Sequence, residues 1–175
     1  MGKYMIGLLV NNKYGVLSRI SALFAKRGFN IDSLAVGETD NPDISRMTIT
    51  IAGNEHDRDQ IIKQLGKLHD VLHVGEMKMG ESVCRELVLL KVSADKSNRQ
   101  EIMDAANVFR NKIIDYSPRS ITLEITGETG KLEAFIELMK EYGILEMCRT
   151  GIVSLKRGDE CLAQFAKEED EAVEI

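Results

Sequence analysis

The residues best suited to binding a small ligand form one short loop near the amino terminus, Asn12-Lys13-Tyr14-Gly15. The loop leads directly into a helical pattern, and the start of a helix has four unpaired backbone N–H groups and about half a positive charge. It can therefore hold a carboxylate or a phosphate. Gly15 would let the backbone approach that ligand, and the Asn12 amide offers a donor and an acceptor. This chemistry suits an amino acid, which carries an ammonium and a carboxylate on one carbon.

A purely structural role for the same loop is the alternative interpretation. Asn12 and Gly15 are ordinary turn and cap residues, and turn chemistry explains many loops of this composition. From the spacing of these residues alone, both interpretations stay open.

Two copies of one order of secondary-structure patterns account for most of the chain. In residues 4–77 the apolar pattern changes from strand to helix, then to two strands, a second helix and a last strand. Residues 87–155 repeat this order, and the pattern lapses around Gly80-Glu81-Ser82. We therefore predict an α+β fold of two ferredoxin-like βαββαβ domains, each an antiparallel sheet with both helices on one face. The predicted boundaries are 1–78 and 84–158 for the domains and 159–175 for an acidic tail.

The net charge of −5 is located entirely in the carboxyl-terminal residues. Residues 160–175 contain six acids and one lysine, so residues 1–159 are formally neutral. A neutral body with no tryptophan and 5% aromatic residues offers neither a basic patch nor a stacking surface, which argues against nucleic acid as a partner. Residues 165–175 have little apolar material, and we expect them to stay solvated and mobile.

Composition also bears on the compartment. The longest apolar run near the start, residues 5–10, is far shorter than the roughly 20 residues that a membrane span needs, and no signal-type segment is visible. Three scattered cysteines without a C-x-x-C pair support neither a disulfide framework nor a zinc site. We predict a cytoplasmic protein without contact to membranes.

Other candidate chemistries lack part of what they need. His69 and His73 have the spacing of two metal ligands on one helix, but the predicted helix ends between them and no third ligand is evident. Residues 127–131 (GETGK) lack the glycine spacing of a phosphate loop. Acylphosphatases share the βαββαβ fold but need an arginine in the loop that here contains Lys13. No nucleophile has a base partner, so we predict no catalytic residue and no metal site.

Three stretches carry a close resemblance to a known family: residues 12–20 (NKYGVLSRI), 27–34 (RGFNIDSL) and 45–48 (SRMT). They resemble the regulatory (small) subunit of acetolactate synthase, also called acetohydroxyacid synthase. The similarity continues to Gly158 and covers nearly all of residues 3–158. It implies an amino-terminal ACT domain, a module that binds amino acids, followed by a second ferredoxin-like domain characteristic of the family.

The resemblance also implies a function in branched-chain amino acid biosynthesis. A chain of this family has no catalytic activity by itself. It binds a catalytic large subunit that uses thiamine diphosphate, Mg and FAD, activates that subunit, and confers feedback inhibition by valine, isoleucine or another branched-chain amino acid. An ACT-domain sensor that regulates a different metabolic enzyme is the alternative, and the match in the second domain argues against it.

In that family the effector lies between the ACT domains of a homodimer. The positions of this chain that match the effector site are Asn12, Gly15, Val16, Leu17, Asn30 and Ile31. Lys13 and Tyr14 depart from the acidic and small residues that are common there. The identity of the preferred effector does not follow from the resemblance.

The sequence contains an independent reason for such a dimer. The second strand of a βαββαβ sheet lies on an edge, and the predicted strand at residues 29–36 has no lysine or proline and only Asp32 as a charge. An unprotected edge tends to pair. Side-by-side pairing of two chains would bring Asn30 of one near the Gly15 loop of the other. The alternative is that another part of the same chain covers the edge strand.

Overall fold

A computed structural model describes residues 2–164 of the chain. They divide into two units, one comprising residues up to 83 together with those from 153 onward, and the other comprising Cys84–Ile152. The first unit contains β1 (Gly2–Asn11), α1 (Val16–Arg27), β2 (Ser33–Glu38), β3 (Ile44–Gly53), α2 (Glu55–Gly66) and β4 (Val71–Glu76). The βαββαβ order predicted for the first half is confirmed.

The first sheet has the antiparallel order β2-β3-β1-β4, in which β1 is one of the two inner strands. Side chains alternate along a strand, so Ile6 and Leu8 turn toward the helices, where they are fully buried in one core with Phe24 of α1. Gly7 lies between them and turns to the opposite face. Asn11, the last residue of β1, pairs with Ile44 at the start of β3. The loop that follows β1 therefore lies beside the turn that joins β2 to β3.

The second unit repeats this topology. Its elements are β5 (Ser82–Ser93), α3 (Arg99–Val108), β6 (Lys112–Ser117), β7 (Ser120–Gly127), α4 (Thr129–Lys140) and β8 (Ile144–Arg149). Their strand order is β6-β7-β5-β8, and Leu90, Leu123 and Phe135 are fully buried in the core between sheet and helices. The prediction of two antiparallel sheets, each with its helices on one face, is confirmed.

A carboxyl-terminal segment, residues 153–164, covers the face of the first sheet opposite the helices. It consists of β9 (Val153–Lys156) and a short 3-10 helix (Leu162–Gln164). Leu162 lies over Gly7 and is only 1% exposed. Arg46 of β3 donates a hydrogen bond from Nη2 to the Ser154 carbonyl at 2.8 Å.

The domain boundaries 84–158 and 159–175 stay a prediction. The grouping of residues by contacts is a separate observation, and it places the described residues from 153 onward with the first unit. The physical reason is that Gly7 leaves room on the sheet for the apolar Leu162 side chain. Residues 165–175, with the predicted mobile acids, lie outside the described residues.

One predicted strand begins later than expected. The second strand was predicted at residues 29–36, but β2 begins at Ser33. Gly28 ends α1 in the left-handed conformation with φ 72°, and the chain turns through the next four residues before it joins the sheet. Asn30 and Ile31 therefore precede β2 instead of forming its start.

None of the helices between residues 2 and 164 has the length and apolar character that crossing a bilayer requires.

Candidate effector-binding site

The amino-terminal end of α1 is open. Gly15 immediately precedes the helix with φ 77°, in the left-handed region that favours glycine, and no side chain from residues 2–164 caps this end. The Val16 N–H reaches the Lys13 carbonyl only at 3.4 Å. Leu17 and Ser18 follow in the first turn, where N–H groups have no helical carbonyl four residues back. The first turn also contains no acidic residue, so this end of the helix can receive a carboxylate.

One turn into α1, Arg19 forms an ion pair with Asp70 at 2.5 Å. The hydrogen bond from Arg19 lowers the pKa of the Asp70 carboxyl below its usual value. A Cβ atom added to Gly15 would lie 3.1 Å from Nη1 of Arg19. A side chain at position 15 is therefore opposed by the backbone conformation, and it would also displace the end of the Arg19 side chain by a few tenths of an ångström.

The Asn12 amide is tied to the turn between β2 and β3. Its Nδ2 donates to the Pro42 carbonyl at 2.9 Å and to Oε1 of Glu38 at 3.2 Å. The Asn12 backbone N–H donates to the Asp43 carbonyl at 2.7 Å. Sequence reasoning did not find Glu38 or Pro42. The signal that could have found them is the antiparallel pairing of β1 with β3, which places this turn beside the end of β1.

The apolar residues of the loop divide into buried and exposed ones. Val16 is 3% exposed and belongs to the core, so only its backbone N–H is available to a ligand. Leu17 is 43% exposed and Tyr14 is fully exposed. An aliphatic effector side chain can therefore contact Leu17 or Tyr14, but not the side chain of Val16.

Asn30 and Ile31 lie at the other end of α1. A helix of 12 residues is about 18 Å long, so one chain does not bring these residues to the Gly15 loop. Asn30 is exposed and donates from Nδ2 to Oδ1 of Asp32 at 3.2 Å, whereas Ile31 packs against the core. The six predicted residues thus form two groups, and a single site containing both requires a second copy of the chain.

The strand next to the second group is an edge, as the sequence predicts. Among residues 2–164, β2 pairs only with β3, and Val36 on it is 50% exposed. No described residue covers the outer side of β2, whose backbone groups can therefore pair with another strand.

Comparison with known proteins identifies the family. A family model described as "AHAS small subunit-like ACT domain" matches residues 6–73, and one described as "Small subunit of acetolactate synthase" matches residues 85–158. The acetolactate synthase small subunit of Mycobacterium bovis is 48% identical over 155 residues, which cover 89% of this chain and 92% of that protein. The chain belongs to the acetolactate synthase small subunit family.

Two further relatives of the acetolactate synthase small subunit agree. A probable small subunit from Archaeoglobus fulgidus is 48% identical over 157 residues, which cover 90% of this chain and 98% of that protein. The crystal structure of the small subunit from Thermotoga maritima matches with a TM-score of 0.84 and 40% identity over 91% of this chain and all of that chain. The resemblance read from the sequence is confirmed, and the Gly15 loop lies in the ACT domain.

The remaining candidate motifs of this small subunit do not assemble a site. Helix α2 ends at Gly66, before both His69 and His73, so these residues do not share a helix. Among residues 2–164, no three His, Cys, Asp or Glu side chains are grouped so that they could hold a metal ion. The stretch from Gly127 to Lys131 is the turn from β7 into α4, where Lys131 donates to the Thr126 carbonyl at 3.0 Å.

Proposed function

We propose that this chain is the feedback regulator of an acetolactate synthase. It binds valine or another branched-chain amino acid between the ACT domains of a homodimer, activates a separate catalytic large subunit and makes that subunit sensitive to the bound amino acid. The observation that carries the proposal is the uncapped start of α1 after Gly15, with Asn12 beside it. Family membership connects this loop to acetolactate synthase.

The proposed pose of the effector follows from the polar groups of the loop. The carboxylate accepts hydrogen bonds from the N–H groups around Gly15, Val16 and Leu17, where the helix end is electropositive. Asn12 and the Asn30 of a second copy contact the remaining polar groups. The aliphatic side chain lies against exposed apolar residues of the interface, of which Leu17 is one.

In the proposed homodimer, the second copy of the chain binds through its β2 edge strand. No residue between 2 and 164 blocks the edge, and antiparallel pairing through it would join two four-stranded sheets into one. Asn30 lies just before this strand, so the same pairing carries Asn30 toward the Gly15 loop of the other chain. The dimer and the effector site are therefore one proposal, since the site is incomplete in one chain.

The catalytic chemistry is assigned to the partner. A large subunit carrying thiamine diphosphate, Mg and FAD would perform the condensation, and this chain would contribute no reacting group. We assign much of the activating contact to the second unit. Its two edge strands, β6 and β8, expose apolar side chains that a protein partner can cover, namely Ile114, Tyr116, Leu145 and Met147.

Two measurements test the proposal. Calorimetric titration of the full chain with valine, leucine and isoleucine should show binding, with serine as the control ligand. The condensation of pyruvate by the large subunit should rise on addition of the chain and fall again with valine, and the chain alone should be inactive. Absence of binding by any branched-chain amino acid would overturn the effector assignment. Binding without any effect on the large subunit would favour a sensor of a different enzyme.

A further inference from the structure

We infer that Glu38 is a positioning residue that turns Asn12 into a receptor for the ammonium group of the effector. The inference rests on the proposed function, because it assigns a polarity to one side of the same site. Neither Glu38 nor the polarity of Asn12 follows from the sequence pattern of the loop.

The two hydrogen bonds of Asn12 Nδ2 determine how the amide lies. A side-chain amide nitrogen has two N–H donors, and here one is directed to Oε1 of Glu38 and the other to the carbonyl of Pro42. Rotating the amide by half a turn would place Oδ1 against two acceptors and leave both without a donor. The network therefore allows one orientation of the amide and disfavours the other.

The consequence is that Asn12 presents only an acceptor to a ligand. Both donors are occupied, and Oδ1 accepts no hydrogen bond from another described residue. An ammonium group has three donors and no acceptor, whereas a carboxylate has only acceptors. Oδ1 of Asn12 can thus bind the ammonium of an amino acid and not its carboxylate. The sequence predicted that the Asn12 amide would offer a ligand both a donor and an acceptor, whereas in the structure only the acceptor, Oδ1, is available.

This polarity complements the helix end. The N–H groups at the start of α1 take the carboxylate, and Oδ1 of Asn12 takes the ammonium, so the loop distinguishes the two charged groups of one α-carbon. Glu38 is the last residue of β2 and forms no ion pair with another residue between 2 and 164. Its side chain therefore depends on Asn12 for the hydrogen bond that holds both in place.

Titration of the full chain with valine tests this assignment. Glu38→Ala removes one of the two acceptors and leaves only the Pro42 carbonyl to hold the amide. The preference for one orientation of the amide is then weaker, and we expect valine binding to weaken by up to about tenfold. Glu38→Gln keeps an acceptor oxygen and should bind valine within about twofold of the parent. The matched control is Asp43→Ala, which removes a carboxylate from the same turn without a side-chain contact to Asn12 and should also leave binding within about twofold.

A double substitution separates positioning from a general structural effect. If Glu38 acts only through Asn12, then Glu38→Ala should cause no further loss in an Asn12→Ala background. The inference is overturned if Glu38→Ala binds valine like the parent, if the two losses are additive, or if Glu38→Gln binds as poorly as Glu38→Ala. Failure of the parent chain to bind any branched-chain amino acid would instead overturn the proposed function. Thermal unfolding of each variant identifies any loss of fold.

Discussion

Leu162 packs over Gly7: a Cβ atom added to Gly7 would lie 3.3 Å from Cδ2 of Leu162, a residue 155 positions away in the sequence. Through this contact, a segment that the sequence analysis assigned to a tail covers the face of the ACT sheet opposite the helices. Leu162→Ala would leave a cavity over β1, and we expect it to lower the free energy of unfolding by about 2–5 kcal/mol. Denaturant unfolding measures this loss.

The matched control for this change is Leu155→Ala, which removes the same atoms from a side chain that is 61% exposed. It should cost much less than Leu162→Ala. Truncation after Gly158 should be about as damaging as Leu162→Ala, since both remove the same cover. Equal stability of the Leu162 and Leu155 variants would show that the segment does not support the sheet.

Gly15→Asp should abolish effector binding. It places a side chain in a backbone conformation that disfavours one, with φ 77°, and puts a negative charge where the carboxylate should bind. Loss of one or two charge-assisted hydrogen bonds, each contributing roughly 1.5–3 kcal/mol, weakens binding by about tenfold to a few thousandfold. Valine inhibition of the large subunit should disappear while activation largely survives. A folded, dimeric Gly15→Asp protein that binds valine like the parent would contradict the site.

Asn30→His should abolish valine binding at the Gly15 loop of the other chain. This expectation permits a test of whether the two chains share each site. A mixed dimer of a Gly15→Asp chain and an Asn30→His chain has one site with both changes and one site with neither. Random exchange between equal amounts of the two variants makes about half of the dimers mixed. Two variants that bind no valine separately should therefore regain about a quarter of the parental sites after mixing and subunit exchange. Calorimetry of the mixture measures the recovered stoichiometry. If exchange occurs and no sites return, the loop and Asn30 do not meet across an interface.

The Arg19–Asp70 pair should make stability depend on pH in the acidic range. The folded-state pKa of Asp70 is lowered by the hydrogen bond from Arg19, so the stabilisation is complete above the ordinary carboxylate pKa of roughly 3.9 and is lost as the pH falls through the lower folded-state value. Asp70→Asn should flatten this part of the stability curve. Thermal unfolding across the acidic range, with the exposed Asp43→Asn as control, detects the difference.

Removing Glu86 should destabilise the second unit. Its carboxylate is 4% exposed and receives hydrogen bonds from Nε and Nη2 of Arg149, at 2.5 and 2.9 Å. Glu86→Ala removes two charge-assisted hydrogen bonds, although Nη1 of Arg149 keeps its contact with Glu133 at 2.7 Å. We expect a loss of roughly 1.5–3 kcal/mol in unfolding free energy. The control is Glu128→Ala, which breaks an exposed ion pair with Arg85 and should cost less than about 1 kcal/mol.

Much of the architecture could be predicted because its signals are local. Ile6 and Leu8 alternate with Gly7 at the period of a strand, and Gly28 follows the last turn of α1 where a left-handed residue ends a helix. The βαββαβ order then places β2 on an edge without further information. The later start of β2 at Ser33 escaped prediction because apolar residues 29 and 31 pack against the core from a turn as readily as from a strand.

The sequence by itself thus determined the two βαββαβ units, the edge strand and the uncapped loop at Gly15, since each depends on residues within about one helix or strand of one another. Only the tertiary structure decided that Leu162 covers Gly7 and that Glu38 and Pro42 hold the Asn12 amide. These contacts join residues 26 to 155 positions apart. They depend on the register of β1 against β3 and on the path of the returning chain, which no local periodicity encodes.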